Sequence, residues 1–458
     1  MTVFERLTLA LYGLLAWLAI PLLRRKLRRR ARAEPGYAQA VPERFGHYAM
    51  AAPHGAGPLV WLHAVSLGET RAAAILLGPL REQLPGMRLL LTHGTATGRA
   101  EGAKLLRPGD VQVWLPWDTP GAVRRFLQHF EPAIGVLMET EIWPHMVAAC
   151  RRRRVPLVLA NARLNAKSYT GARRLAWLAR PAYAALAAVW AQTEADAQRL
   201  RALGAPVEGV YGNLKFDARP DAALLARGRA WHDRAPRPVV LLASTREGEE
   251  ALWLQSLQSN RAPALDGHAR SAINTIVDEG AMADGVQWLV VPRHPQRFDE
   301  VQQLCRAAGL SVSRRSAWGE TPEPADVWLG DTLGEMALYY GLARVALLGG
   351  SFAPLGGQNL VESIACGCPV LLGPHTFNFA EAADLAIKAG AAQRVADMAE
   401  GVRQARRLAH DAARLAGMAQ RCDAFIAAHR GAAQATAQAI VARCATRSCE
   451  IYGEPDSP

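Results

Sequence analysis

From Pro58 onward, short apolar runs alternate with longer stretches whose apolar residues recur three and four apart. "LVWLHAV" (59–65) is apolar almost throughout, and "TRAAAILLGPLREQL" (70–84) has helical spacing. The pattern continues through "MRLLLTHG" (87–94), "VQVWLPWD" (111–118), "AVRRFLQHF" (122–130), "AIGVLMETE" (133–141), "PHMVAACRRRR" (144–154), "VPLVLANAR" (155–163) and "AAVWAQTEADAQRLRALG" (187–204). Strands apolar at successive positions are buried on both faces, and helices between them predict a parallel sheet covered on each side. The alternation breaks at "ARPDAALLARGRAWHDRAPRP" (218–238), a Pro- and Arg-rich stretch that reads as a linker. It restarts with "VVLLAST" (239–245), "VQWLVVPRHP" (286–295), "DVWLGDT" (326–332), "VALLGGS" (345–351) and "PVLLGPH" (369–375). The prediction is α/β: two Rossmann-like doubly wound domains, 34–217 and 239–458, joined by 218–238. Residues 256–285 look like a loosely patterned insertion, and Ala/Arg-rich helices close the second domain after 395.

The first 33 residues follow a different pattern. Leu7 to Leu23 carries no charge, and "RRKLRRRAR" (24–32) follows. The apolar stretch is at the short end of a membrane-spanning helix. Its charge lies after the apolar core, the reverse of a secretory signal. Residues 1–33 are therefore expected to be an uncleaved anchor, spanning or lying on the membrane, with the basic run on the cytoplasmic side against anionic lipid.

Composition narrows the class. The chain has 458 residues, half of them hydrophobic, and a net charge of +12. That basic balance suits nucleic acid, an anionic membrane or anionic substrates. No stretch interleaves aromatics with Lys/Arg as a single-strand binder does, so nucleic acid is not an expected partner. The cysteine number is odd, at seven, without a CxxC pair, which predicts reduced thiols rather than a zinc site.

In doubly wound domains the ligand crevice lies at the carboxyl ends of the strands. Glu69 in "VSLGET" occupies such a turn. It is either a functional carboxylate or a first-turn Glu favoured by the helix N-terminus. Glu139 and Glu141 follow a strand in "METEIWPH", and period two places both on one side. "NARLNAKSYTGARR" (161–174) is a cationic loop and helix, and "YGNLKFD" (211–217) delivers Lys215. In the second half, Ser244 and Thr245 read as N-caps with Glu247, Glu249 and Glu250 in the first turn. "VPRHP" holds Arg293 between prolines. Glycines at 349, 350, 356 and 357 precede a helix opening at Gln358-Asn359, a geometry suited to an anion, and Glu362 is suited to ribose hydroxyls. No GxxxxGK[ST] loop, GxSxG elbow or GxGxxG fingerprint is present.

These motifs, in this order, resemble the 3-deoxy-D-manno-octulosonic acid (Kdo) transferases: "PERFGHY", "VSLGET", "METEIWPH", "NARLNAKS", "GNLKFD", "ASTREGEE", "VPRHPQRF", "GDTLGEM", "GGQNLVES" and "LLGPHTFNF". The sequence departs from the family pattern at Arg246 and Gln358, where the family usually has His, and in the "THGTATG" loop. The resemblance implies a GT-B fold of two facing domains, acceptor-binding first and donor-binding second. It implies inverting, metal-independent transfer of Kdo from CMP-Kdo to a lipid A precursor (lipid IVA), without a cofactor, at the cytoplasmic face of the inner membrane. By motif match, Glu69 is the general base, and Glu139 and Lys215 stabilise the transition state. Pro292, Arg293, Leu333, Gly334, Glu335, Asn359, Leu360, Val361 and Glu362 hold CMP. Arg163, Lys167, Arg173 and Arg174 are the cationic candidates for acceptor phosphates. Another GT-B sugar transferase, a nucleotide-sugar epimerase and a non-catalytic sugar-nucleotide binder are the alternatives.

Overall fold

The computed structural model describes residues 2–53, 55–259 and 285–452, without side-chain detail at 259 and from 446 on. Most of the insertion expected at 256–285 lies outside the described residues. The chain divides into two compact units, residues 1–217 with 429–458, and residues 218–428.

The first unit opens with α1 (Val3–Leu18) and α2 (Ile20–Ala33). Strands and helices then alternate: β1 (Leu59–His63), α3 (Leu67–Gln83), β2 (Arg88–His93), α4 (Ala96–Gly102), β3 (Val111–Trp114), α5 (Pro120–Phe130), β4 (Ile134–Met138), α6 (Pro144–Arg152) and β5 (Leu157–Ala162). Helices α7 (Ala166–Arg174) and α8 (Ala176–Ala184), then β6 (Ala188–Ala191), α9 (Glu194–Ala202) and β7 (Val207–Val210) complete the run. All seven strands are parallel, in the order β3-β2-β1-β4-β5-β6-β7. The order reverses between β1 and β4, so the crevice of this unit lies where those two strands end. Every residue of β1 and β4 is buried, as strands sandwiched between helix layers require. Thr92 links two polar side chains in this core: Trp61 Nε1 donates to Thr92 Oγ1 (2.8 Å), and His63 Nδ1 lies 2.9 Å from the same hydroxyl. Burial pushes His63 down to about 3, so its ring is a neutral core group.

The second unit repeats the plan. It runs α10 (Ala222–Arg234), β8 (Val239–Thr245), α11 (Glu249–Ser259), β9 (Gln287–Pro292), α12 (Phe298–Ala307), β10 (Val312–Arg314), β11 (Val327–Leu329) and α13 (Met336–Leu342). Then follow β12 (Val345–Leu348), α14 (Leu360–Ala365), β13 (Val370–Leu372), α15 (Ala380–Lys388), β14 (Ala392–Arg394), α16 (Met398–His410) and α17 (Ala412–His429). The parallel order is β10-β11-β9-β8-β12-β13-β14, with its reversal between β8 and β12. A buried pair, Arg297 to Glu250 at 2.8 and 3.0 Å, ties α11 to the segment after β9.

Three expectations need correction. Residues 218–238 are not a free linker: Asp221 caps α10, whose Gly228 packs so closely on α13 that a Cβ would sit 2.2 Å from the Leu338 carbonyl oxygen. The prolines and arginines flank and coat a helix rather than prevent one. The second domain does not run to the C-terminus, because α18 (Ala432–Tyr452) belongs to the first unit. There the Asp217 carboxylate accepts from Gly431 and Ala433 N–H at 2.6 Å each, satisfying donors at the start of α18. Residues 1–33, expected as one anchor helix, form two. They bend by 47° between α1 and α2, and no single described helix is long and apolar enough to cross a membrane. Pro21 sits at the break, where its ring removes a donor from the helical ladder.

Candidate functional site

Ser66 caps α3, and Glu69 is the third residue of that helix. Its carboxylate accepts from the Val65 N–H (2.9 Å) and from Ser66 Oγ (2.9 Å). Part of its role is therefore local capping. Its charge environment is not ordinary, however. Burial pushes Glu69 up to about 7; the Val65 N–H opposes that shift, and Glu139 and Glu141 add to it. A carboxylate poised near neutral pH at a crevice is suited to take a proton.

Glu139 follows β4 on the other side of the strand reversal. It has φ +59°, so the chain turns there and the alternation expected for Glu139 and Glu141 does not apply. The two carboxylates still act together, because both raise the proton affinity of Glu69. Burial also raises Glu141. The Glu139 Oε1 lies 3.6 Å from Lys215 Nζ. Thus the first unit gathers Glu69, Glu139 and Lys215 at its switch point.

Lys215 is positioned by residues that the sequence did not single out. Asn161 is the penultimate residue of β5, with φ +51°, a conformation Asn tolerates well. Its Oδ1 accepts from the Leu214 N–H (3.1 Å), and its carbonyl accepts from Gln192 Nε2 (2.9 Å). Asn213 Nδ2 donates to Gln192 Oε1 (3.0 Å), and Asn213 Oδ1 accepts from the Lys215 N–H (3.0 Å). These amides hold the 213–217 turn beside the strand ends.

The four cationic candidates divide. Arg163 is half-buried, and its N–H donates to the Glu139 carbonyl (3.2 Å), next to the carboxylates. Lys167, Arg173 and Arg174 lie on exposed positions of α7. The structure does not draw these three into the carboxylate cluster.

In the second unit, the predicted donor residues all follow strand carboxyl ends. Pro292 ends β9, and the Arg293 N–H donates to the Thr245 carbonyl (2.9 Å) at the end of β8. After β11, Leu333 is 72 % exposed and Gly334 has φ +84°. Glu335 accepts from Arg315 Nη2 (2.9 Å) and from the Thr332 hydroxyl. Asn359 caps α14, accepting from the Val361 N–H (3.2 Å), and its Nδ2 donates to Glu362 Oε1 (3.2 Å). Leu360 and Val361 are buried, so only their main chain is available to a ligand.

One residue organises this end of the sheet. The buried Glu249 carboxylate crosses to the loop after β12, accepting from the N–H groups of Gly350 (2.7 Å), Phe352 (3.0 Å) and Ala353 (3.3 Å). It also accepts from the Arg246 N–H (2.9 Å). The sequence reading of Glu249 as a first-turn charge missed this tertiary role; its signal was a second Glu two residues after the exposed Glu247. Ser244 and Thr245 are not N-caps. β8 continues through Thr245, whose hydroxyl donates to Glu250 (2.5 Å). Gly349 and Gly350 are required: a Cβ on Gly349 would lie 2.3 Å from the Ser244 carbonyl oxygen, and Gly350 has φ +69°.

The six cysteines whose surroundings are described are buried. Among the described residues no group of three or more His, Cys, Asp and Glu is placed to hold a metal ion.

Two doubly wound units of this kind also occur in known sugar-nucleotide proteins. The HepE protein of Anabaena in complex with UDP aligns over 85 % of this chain and 99 % of its own, at 14 % identity and a TM-score of 0.53. The UDP-GlcNAc 2-epimerase of Neisseria meningitidis aligns over 85 % of this chain and 100 % of its own, at 12 % identity and a TM-score of 0.51. The fold is that of the GT-B class. Residues 39–218 match the family described as 3-deoxy-D-manno-octulosonic-acid transferase (kdotransferase). The 3-deoxy-D-manno-octulosonic acid transferase of Bordetella pertussis is 46 % identical over 440 residues, 94 % of this chain and 97 % of that one. That of Haemophilus influenzae is 32 % identical, over 76 % of this chain and 78 % of its own. The chain belongs to the Kdo transferase family.

Proposed function

We propose that this enzyme, a Kdo transferase, moves Kdo from CMP-Kdo to a lipid A precursor, lipid IVA, with inversion at the anomeric carbon and without a metal. The observation that carries this reading is the Glu69–Glu139–Lys215 constellation at the strand reversal of the first unit. Glu69, pushed up to about 7, takes the proton from the acceptor hydroxyl as that oxygen attacks the anomeric carbon. Lys215 and Glu139 hold charge at the reaction centre as the C–O bond to the leaving phosphate breaks. In the second unit, Arg293 and the main chain around Leu333 to Glu335 and Asn359 to Glu362 bind CMP, with Glu249 fixing the neighbouring loop. Arg163, and further out Lys167, Arg173 and Arg174, receive the phosphates of the acceptor.

The same reading gives the N-terminal helices a purpose. Phe4, Leu7, Leu11, Leu14, Leu15 and Trp17 of α1 are exposed, and the basic run follows on α2. An apolar face next to cations suits a helix lying in an anionic membrane surface. α1 also packs on its own unit, with the Tyr12 ring 5.3 Å from that of His145. A monotopic seat on the cytoplasmic side of the inner membrane follows, confining enzyme and lipid acceptor to one surface.

The test is direct. Purified enzyme, CMP-Kdo and lipid IVA should yield a Kdo-bearing lipid by mass spectrometry, with inverted anomeric configuration by NMR and undiminished yield in EDTA. Turnover of UDP-sugars in place of CMP-Kdo would overturn the donor assignment.

A further inference from the structure

Two cavities meet at His145, apart from the carboxylate–lysine cluster. One, of about 570 Å³, lies along α5 and α6 and is lined by Pro120, Arg124, His145, Arg152 and Arg153 among others. The other, of about 680 Å³, shares Pro120, His145 and Arg152 and adds Arg151 with Arg6, Leu9 and Ala10 of α1. Arginines from three helices thus converge, and no carboxylate among the described residues lines either cavity. These exposed arginines concentrate positive charge locally, which favours an anion.

His145 lines both cavities. It is only 5 % exposed, yet its Nε2 has no hydrogen-bond partner. Nε2 of His63, His93 and His129 are likewise unpartnered, and the His145 atom faces Gly13 of α1 rather than the open volume, so the ring serves as a reporter beside the cavities. The ring is firmly held. Its own N–H on the main chain donates to Asp118 (3.0 Å), as does that of Met146 (2.8 Å). On the other side α1 approaches so closely that a Cβ on Gly13 would lie 2.7 Å from Nε2. Burial first, and then Arg152, push the imidazole down to about 4, so it is neutral and offers one ring N–H.

The chemistry that fits is a phosphate with an apolar attachment. Guanidinium groups match phosphate oxygens in pairs. Leu9 and Ala10 wall the second cavity, and the exposed apolar face of α1 continues beside it. We infer that the cavities around His145 bind the phosphate of an anionic membrane lipid, with its acyl chains lying along α1. This rests on the reading of α1 as seated in a membrane. It goes beyond it by assigning a headgroup site rather than diffuse charge attraction.

The full chain tests it in two ways. Flotation with phosphatidylglycerol-containing vesicles compares wild type with Arg124→Gln/Arg152→Gln and with Arg107→Gln/Arg234→Gln, which removes equal charge elsewhere. The cavity pair should weaken binding at least tenfold and the control pair less than twofold. Equal weakening by both pairs would overturn the site in favour of diffuse attraction. In solution, the His145 ring signal, assigned with His145→Gln, is followed by NMR against dihexanoyl phosphatidylglycerol and against inorganic phosphate. A saturable shift with the lipid, and with phosphate only at far higher concentration, is expected. An unmoved signal would overturn the site, and equal response to phosphate would overturn its lipid character. If wild type floats on no vesicle, the membrane seat fails, while the NMR titration still decides the cavity.

Discussion

Lys215 Nζ stands 3.6 Å from the Glu139 carboxylate, and Glu139 in turn raises the proton affinity of Glu69. The lysine therefore tempers a cluster of negative charge while the carboxylates keep Glu69 basic. Removing either partner should move Glu69 in opposite directions. Lys215→Met leaves Glu139 uncompensated, shifts the acidic limb of the pH–rate profile to higher pH, and lowers kcat by about 10²–10³-fold. Glu139→Gln removes a repelling charge and shifts the same limb to lower pH. Profiles of kcat for both variants check this pair, and shifts of the same sign would contradict it.

The wild-type profile is itself informative. A general base works deprotonated, so activity should be low below pH 6 and rise through about 7, where Glu69 loses its proton. An ordinary exposed glutamate would place that rise near 4.3. Initial rates across pH 5 to 9, at saturating substrates and constant ionic strength, distinguish the two.

Glu249 is the structural hinge of the second unit. Glu249→Ala leaves the buried N–H groups of Gly350 and Phe352, and the partly buried one of Arg246, without their acceptor. The expected cost is about 3 kcal/mol or more, from donors worth roughly 1–3 kcal/mol each when left unsatisfied. CMP affinity, measured by calorimetry below the unfolding transition, should fall at least tenfold because the loop after β12 loses its anchor. Denaturant unfolding measures the stability.

Membrane seating predicts a surface effect without a folding effect. Phe4, Leu11 and Leu15 are 63 %, 51 % and 54 % exposed. Phe4→Ser/Leu11→Ser/Leu15→Ser should release the protein from membranes in fractionation while leaving circular dichroism, thermal midpoint and activity on detergent-dispersed acceptor near wild type.

Much of this was legible in the sequence because buried parallel strands are apolar without interruption. β1, β4, β8 and β12 all read that way, and they are the strands that flank the two reversals. The edge strands β7, β10 and β14 were not legible: each has three or four residues and is only partly buried, so period and length carry little signal. Glu69, Glu139 and Lys215 were legible as turn residues after strands. Glu249, Asn161, Gln192 and Asn213 were not, because their roles are tertiary hydrogen bonds to segments up to about a hundred residues away. The return of α18 to the first unit was equally hidden, since nothing local in an Ala-rich helix says which sheet it covers.

The most direct test concerns proton transfer to Glu69. Glu69→Gln keeps the size of the side chain and removes its basicity. With CMP-Kdo and lipid IVA, the variant should bind CMP as wild type does, yet form Kdo-lipid about 10²–10⁴-fold more slowly by mass spectrometry. Product formed at a rate near wild type would contradict the account.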